Sequence, residues 1–246
     1  MRRLAASTAL ALALFALPLQ AEMTPDERQA LQGEIRAYLL ENPEVLVEAM
    51  DILQTREDTA AIERDTAMVQ SNADDLFASP GDWVGGNPDG DITLVEFMDY
   101  QCGYCRKAYS EVDELVTSDG NIRFVVKEFP ILGEASLLSS KFAIAILQLH
   151  GNAAYEGAHD ALIALRGEPT ADTLARVATD LGLDPQAIAD KMDSDEVMAV
   201  IRANHALAEK MEISGTPTFV LKNTMMRGYV PLDGMREIVA GTREEG

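Results

Sequence analysis

The chain carries two cysteines, Cys102 and Cys105, within the run VEFMDYQCGYCRKAYSEV. A C-x-x-C pair of this kind can be a structural staple, half of a metal site or a redox dithiol. A bridge across so short a loop stabilises a fold by only about 2 kcal/mol, against ~3 kcal/mol for a loop of about fifteen residues. A staple would gain more from cysteines placed far apart. Structural zinc takes four ligands, usually two such pairs or one pair with two closely spaced histidines. No second cysteine pair exists, and His150, His159 and His205 are too scattered to supply the histidines. A redox dithiol at the junction of a strand and a helix is the reading that remains. Reduced, the same two thiols are also soft ligands suited to Cu(I), a binding role that needs no turnover.

The attacking species in disulfide exchange is the thiolate. Residues 91–100, DITLVEFMDY, read as a strand and residues 102–118 as a helix. Cys102 then sits at the helix start, where unpaired backbone N–H groups and the positive end of the helix dipole favour an anion. Cys105 falls one turn further in, is expected to be more buried, and would resolve the mixed disulfide that Cys102 forms. Glu96 lies on the preceding strand. It is either a solvent-facing carboxylate or a buried one, and a buried one must find a partner or keep its proton. Lys127, on the next strand, is a candidate partner. The three histidines read as surface or cap residues on helices, and Met225-Met226 as fillers of core gaps.

These groups need a scaffold, and the remaining sequence outlines it. The chain opens MRRLAASTALALALFALPLQAEM, a basic start followed by an apolar run and a small residue at Ala21. That is the plan of a cleaved secretory leader over residues 1–21. The apolar run is shorter than the ~20 residues that span a bilayer. No membrane span is expected once the leader is removed, and export would deliver the thiols to an oxidising compartment, where they form disulfides by default. The formal net charge of −21 argues against nucleic acid as a partner.

Residues 22–74 read as a helical segment. Thr24 is its N-cap, Pro25 the first helical residue and Glu27 the partner in a capping box. Leu31, Ile35, Tyr38 and Leu39 share a face, Asn42-Pro43 breaks the helix, and Leu39, Leu46, Leu53, Ala60 and Ala67 recur every seven residues. Such a stripe cannot be buried within one helix, so it packs on the main domain or on other copies of the chain. Residues 75–90, rich in Gly, Pro, Asp and Asn, read as a linker. A second strand is expected over 121–130. Helices follow over about 134–213, with breaks near 151–152, 167–170, 182–185 and 193–194. A β-hairpin spans 216–230 and a last helix 231–240. The order implies an α/β domain over 91–246 with a helical subdomain inserted between its second strand and its hairpin.

Residues 93–106, the GTPTF run at 215–219 and the insertion between them resemble the DsbA-like thioredoxin-fold oxidoreductases of the bacterial periplasm. LLENPEVLVEAM at 39–50 resembles the N-terminal segment of the ScsC copper-sensitivity suppressors, which in some of that group assembles trimers with isomerase activity. The resemblance implies a cis Thr216-Pro217 bond facing the dithiol, with the backbone of Thr216 pairing with substrate as an added strand. It also implies that Glu96 helps deprotonate Cys105. Between the cysteines the chain departs from the strong oxidases, which carry Pro-His. Gly103-Tyr104 resembles the DsbC-type isomerases instead, and Tyr104 reads as a solvent-facing contact that shapes the site. Without that histidine a less oxidising couple is expected, better able to work reduced. The implied function is a thiol–disulfide isomerase or reductase acting on exported cysteine-containing proteins. A membrane redox partner would reset the dithiol, with no cofactor or metal, in a homo-oligomer that is most simply a trimer. The rivals are a disulfide-donating oxidase and a Cu(I)-binding protein.

Overall fold

A computed structural model describes residues 23–244, and the leader lies outside the described residues. The chain divides into two units, one ending at Glu57 and the other beginning at Asp58.

In the first unit, helix α1 (Pro25–Glu41) starts where local chemistry dictates. The Thr24 hydroxyl accepts the Glu27 N–H at 3.3 Å, and the Glu27 carboxylate accepts the Thr24 N–H at 2.9 Å. That is the reciprocal capping box, with Pro25 at the position where a missing N–H costs nothing. Asn42 ends the helix, and its N–H and side-chain amide both donate to the Tyr38 carbonyl. Helix α2 (Glu44–Ser71) follows, with the boundary between the units inside it. Leu31, Ile35, Tyr38, Leu46 and Leu53 of the expected stripe are exposed.

The second unit is built on a five-stranded sheet in the order β1-β3-β2-β4-β5. Its strands are β1 (Trp83–Gly86), β2 (Ile92–Met98), β3 (Ile122–Glu128), β4 (Thr218–Leu221) and β5 (Thr224–Arg227). β2 and β3 are parallel and the other pairs antiparallel. Helix α4 (Gly103–Asp119) makes the crossover from β2 to β3 that a parallel pair requires. The inserted helices are α5 (Glu134–His150), α6 (Asn152–Ala164), α7 (Ala171–Asp180), α8 (Pro185–Met192) and α9 (Asp195–Lys210), and α10 (Leu232–Glu244) closes the chain. Their boundaries fall at the expected breaks. Thr170, Asp184 and Ser194 each cap a helix through a side-chain oxygen. Among the described residues no helix is long and apolar enough to cross a membrane.

Strand alternation sends side chains to two cores. Leu94, Met98, Phe124, Val126 and Phe219 pack with α4, α5 and α6 on one face. Val95, Phe97, Val125 and Val220 pack on the other with Val69, Leu76, Leu207 and Met211. Met225 and Met226 are buried, one in each core.

Two readings of organisation change. Residues 75–90, expected as a linker, hold β1 and the end of the short helix α3 (Ala73–Phe77). A WVGG strand has no alternating side chains to display, so its sequence carries no strand signal. Its glycines serve close packing, since a Cβ on Gly85 would lie 2.0 Å from the Trp83 ring. The second change concerns residues 58–74, expected to lie in the N-terminal segment. They belong to the second unit, where Arg227 pairs with Asp65, Thr66 donates to the Asn223 carbonyl and Val69 is buried.

Candidate active site

Strand β2 ends at a turn held by Asp99. This buried carboxylate accepts the backbone N–H groups of Gln101 at 2.7 Å, Ile131 at 2.8 Å and Leu132 at 3.1 Å. Its carbonyl accepts the Cys102 N–H at 3.0 Å. Arg106 ties the first turn of α4 down by donating to the carbonyls of Tyr100 at 2.7 Å and Leu165 at 2.6 Å. The turn delivers Cys102 as the N-cap of α4, with extended backbone. Its Sγ makes no capping bond and instead donates to the Thr216 carbonyl at 3.1 Å.

Thr216-Pro217 is a cis peptide bond. Its loop is fixed by the Gly228 N–H donating to the Pro217 carbonyl and by the Thr218 hydroxyl donating to the Gly215 carbonyl at 2.8 Å. Sequence positions 114 residues apart therefore meet at the dithiol. Both cysteines are unbridged and buried, Cys105 more deeply, as expected for a resolving thiol. Burial, and then the charge of Glu96, push the Cys105 thiol far up, so it needs a base to become a nucleophile. Gly103 faces open space, and Tyr104 is 62 % exposed and stacks on Tyr229 at 6.3 Å. The Lys107 ammonium sits 4.0 Å above that second ring.

Glu96 is 6 % exposed, on the α4 side of the sheet. Burial, and then the charge of Glu128, push its carboxyl up to about 8. The expected Lys127 partnership does not form. Glu96 is in register with Val126, and Lys127 with Phe97, so the pleat sends the lysine to the opposite face. There Lys127 donates to Asp82 at 2.5 Å and to the Asp75 carbonyl at 2.7 Å.

A second buried carboxyl, Glu128, was not expected at all. It accepts hydrogen bonds from Tyr100 at 2.8 Å, Tyr155 at 2.6 Å and Ser140 at 2.7 Å. Burial outweighs these bonds and lifts it to about 7. His159, expected at the surface, is buried at the end of this network, 3.0 Å from the Tyr100 hydroxyl and stacked under Trp83. Burial depresses it to about 4. One signal for Glu128 was available, because it continues the period-two face of Phe124 and Val126. None existed for His159, whose depth depends on how α6 seats against β1.

Residues 93–240 match the DSBA-like thioredoxin domain, a span that contains Glu96, the dithiol and Thr216-Pro217. The chain belongs to the DsbA-like thioredoxin family. Residues 27–62 match the Copper resistance protein ScsC N-terminal domain. A thioredoxin-like oxidoreductase from Silicibacter pomeroyi is 40% identical, with a TM-score of 0.65, over 70% of this chain and 97% of that one. A linker-deleted Proteus mirabilis ScsC variant shares the DsbA-like fold over 92% of this chain and all of its own, with a TM-score of 0.70 at 20% identity. Among curated proteins, the Na(+)/H(+) antiporter NhaA 1 of Salinispora arenicola is 30% identical over 166 residues, 66% of this chain. The chain spans about a quarter of the length of such curated relatives.

The Glu96 carboxyl gives this DsbA-like site a definite pH signature. A carboxyl acting as the base for Cys105, the role the family resemblance implies for Glu96, can take the thiol proton only once ionised. The rate of Cys105-dependent release of a mixed disulfide is therefore expected to rise through about pH 8, with Glu96→Gln removing that inflection. Stability is expected to move oppositely. A folded-state value above the ordinary one means stability intact at low pH and lost as pH climbs towards 8. Glu96→Gln is therefore expected to be a few kcal/mol more stable than the parent at pH 8.5 and little different at pH 5, by urea unfolding. An equal gain at both pH values would show that Glu96 does not titrate in this way.

Proposed function

We propose that the protein is a periplasmic thiol–disulfide isomerase or reductase acting on exported proteins that carry cysteines. The observation that carries this reading is the Cys102 thiol at the start of α4, 3.1 Å from the Thr216 carbonyl beside cis Pro217. A substrate strand lying along Thr216 would bring its disulfide to Cys102. The Cys102 thiolate attacks one substrate sulfur, the substrate S–S bond breaks, and a mixed disulfide forms as one substrate thiolate leaves. If that thiolate or another substrate thiolate attacks the mixed disulfide, the substrate is isomerised. If Cys105, deprotonated by Glu96, attacks Cys102 Sγ, the substrate leaves with two electrons and the dithiol becomes a disulfide. A membrane redox partner acting as reductant would then supply two electrons to restore the dithiol.

The isomerase direction draws support from Gly103-Tyr104 between the cysteines, and from the exposed apolar residues of α1 and the start of α2. Those residues suit assembly with other copies, a trimer by likeness to the ScsC group. A leader ending at Ala21 would put the dithiol in an oxidising compartment.

The test is refolding of a scrambled multi-disulfide protein in a thiol buffer. Catalytic recovery of correct pairing supports the isomerase. Fast oxidation of a reduced substrate without reshuffling favours the oxidase, and stoichiometric Cu(I) binding without turnover favours the copper binder. A chain beginning at Asp58 keeps every contact of the second unit named above. It is expected to be a folded monomer that reduces disulfides but isomerises poorly. Light scattering that finds the chain from Glu22 onward monomeric at micromolar concentration would overturn the assembly.

A further inference from the structure

Residues of α4 and α6, with β1, Glu96 of β2 and Phe124 of β3, enclose a cavity of about 600 Å³. Pockets for small organic ligands span roughly 300–1,000 Å³. The charge of this one is one-sided. Asp113 of α4, Glu156 and Asp160 of α6, and Glu96 all line it, and among the described residues no lysine or arginine does. Arg106, on the same helix, is occupied by the carbonyls of Tyr100 and Leu165. Asp113, Glu156 and Asp160 are exposed and mark the open end, with Asp160 accepting from the Tyr109 hydroxyl at 2.5 Å. Glu96 is the deep end. It is more than nine-tenths buried, lines the cavity, and receives no hydrogen bond from any described residue.

The Glu96 carboxyl opens onto the cavity and has no protein partner among the described residues, so a partner for it must come from the cavity side. The space is walled partly by the apolar side chains of Trp83, Val112, Val116 and Phe124, which suit the apolar body of an organic ligand better than a bare ion. A bare metal ion fits less well, because among the described residues no group of three or more His, Cys, Asp or Glu side chains is arranged to hold one. We propose that this cavity binds a small organic cation, an amine or amidinium on an apolar or aromatic body, with its charge against Glu96.

Binding then favours the ionised form of Glu96, and by reciprocity ionisation favours binding. The titratable groups facing Glu96 are Cys105 from α4 and Glu128 from β3, with Tyr109 and Asp113 of α4 and Glu156, His159 and Asp160 of α6 lining the same cavity. His159, held down to about 4, stays neutral over the range that matters. Occupancy therefore tightens as pH rises through about 8. Coupling of occupancy to the dithiol rests on Glu96 acting as the base for Cys105, whereas binding itself does not.

The test is calorimetric titration of the whole reduced protein with benzamidine, and with benzamide as its neutral counterpart, at pH 6.5 and 8.5. Benzamidine is expected to bind once per chain, about tenfold or more tighter than benzamide, and tighter at pH 8.5. Glu96→Gln is expected to remove that preference. Ala153→Trp, on the exposed first turn of α6 and away from the dithiol, is expected to plug the cavity and weaken binding about tenfold. Equal affinity for the two probes, or titrations unchanged by both substitutions, would overturn the proposal. The readout contains no disulfide substrate. A protein that reshuffles disulfides but ignores benzamidine overturns this inference alone, and the converse result overturns the isomerase reading alone.

Discussion

Cys102→Ser is expected to abolish reduction and reshuffling of disulfides together, whereas Cys105→Ser is expected to leave attack intact and accumulate mixed disulfides. The two thiols share a helix turn but differ in surroundings. Cys102 stands outside the first turn of α4, at the positive end of the helix dipole and against the Thr216 carbonyl that a substrate strand would approach. Cys105 is inside the helix, with its thiol pushed up by burial and then by the charge of Glu96. A serine at Cys102 offers no thiolate to any substrate, so the loss is complete. With serine at Cys105 a substrate can leave only by its own thiol, so non-reducing gels are expected to show trapped covalent adducts. Alkylation kinetics of the reduced protein check the assignment. If Cys105 reacts faster than Cys102, the roles are reversed and the mechanism fails.

The largest effect on stability is expected from Lys127→Met, about 3–5 kcal/mol of destabilisation. The lysine is fully buried, and its ammonium donates to Asp82 and to the Asp75 carbonyl. Burial already pushes the Asp82 carboxyl up, against the opposing charge and hydrogen bond of Lys127. Without the ammonium, the folded state must hold Asp82 protonated or carry an unpaired buried charge. The folded chain then binds that proton more tightly than the unfolded chain, so the variant loses stability as pH rises above the ordinary aspartate range. Its deficit against the parent is expected to be smaller at pH 5 than at pH 7.5. Replacing both partners, Asp82→Leu with Lys127→Met, is expected to recover most of the loss. Urea unfolding of the three proteins at both pH values is the measurement. A Lys127→Met deficit under about 1 kcal/mol would show that the pair is not the anchor described.

Local chemistry, read from sequence alone, determined the elements and the reactive pair. The capping box at Thr24, the breaks at Asn42-Pro43 and Asp184-Pro185, and Cys102 at the start of α4 all depend on residues within a turn of one another. Cys102 and Cys105 were legible for the same reason. Thr216-Pro217 was placed at the site only by family likeness, because nothing local to GTPTF says what it faces. Tertiary structure decided everything that depends on register and layering. Whether Glu96 meets Lys127 or Glu128 turns on a parallel pairing set by packing far from either residue, and a shift of one residue would move every side chain of the strand to the other face. The same holds for WVGG, whose only strand signal is the backbone pairing it receives from β3, and for His159, which is buried because Trp83 of that strand lies over it. Elements arise from interactions between near neighbours in sequence. The burial that perturbs Glu96, Glu128 and Cys105 arises from strands and helices many residues apart closing around them, and only the folded chain supplies it.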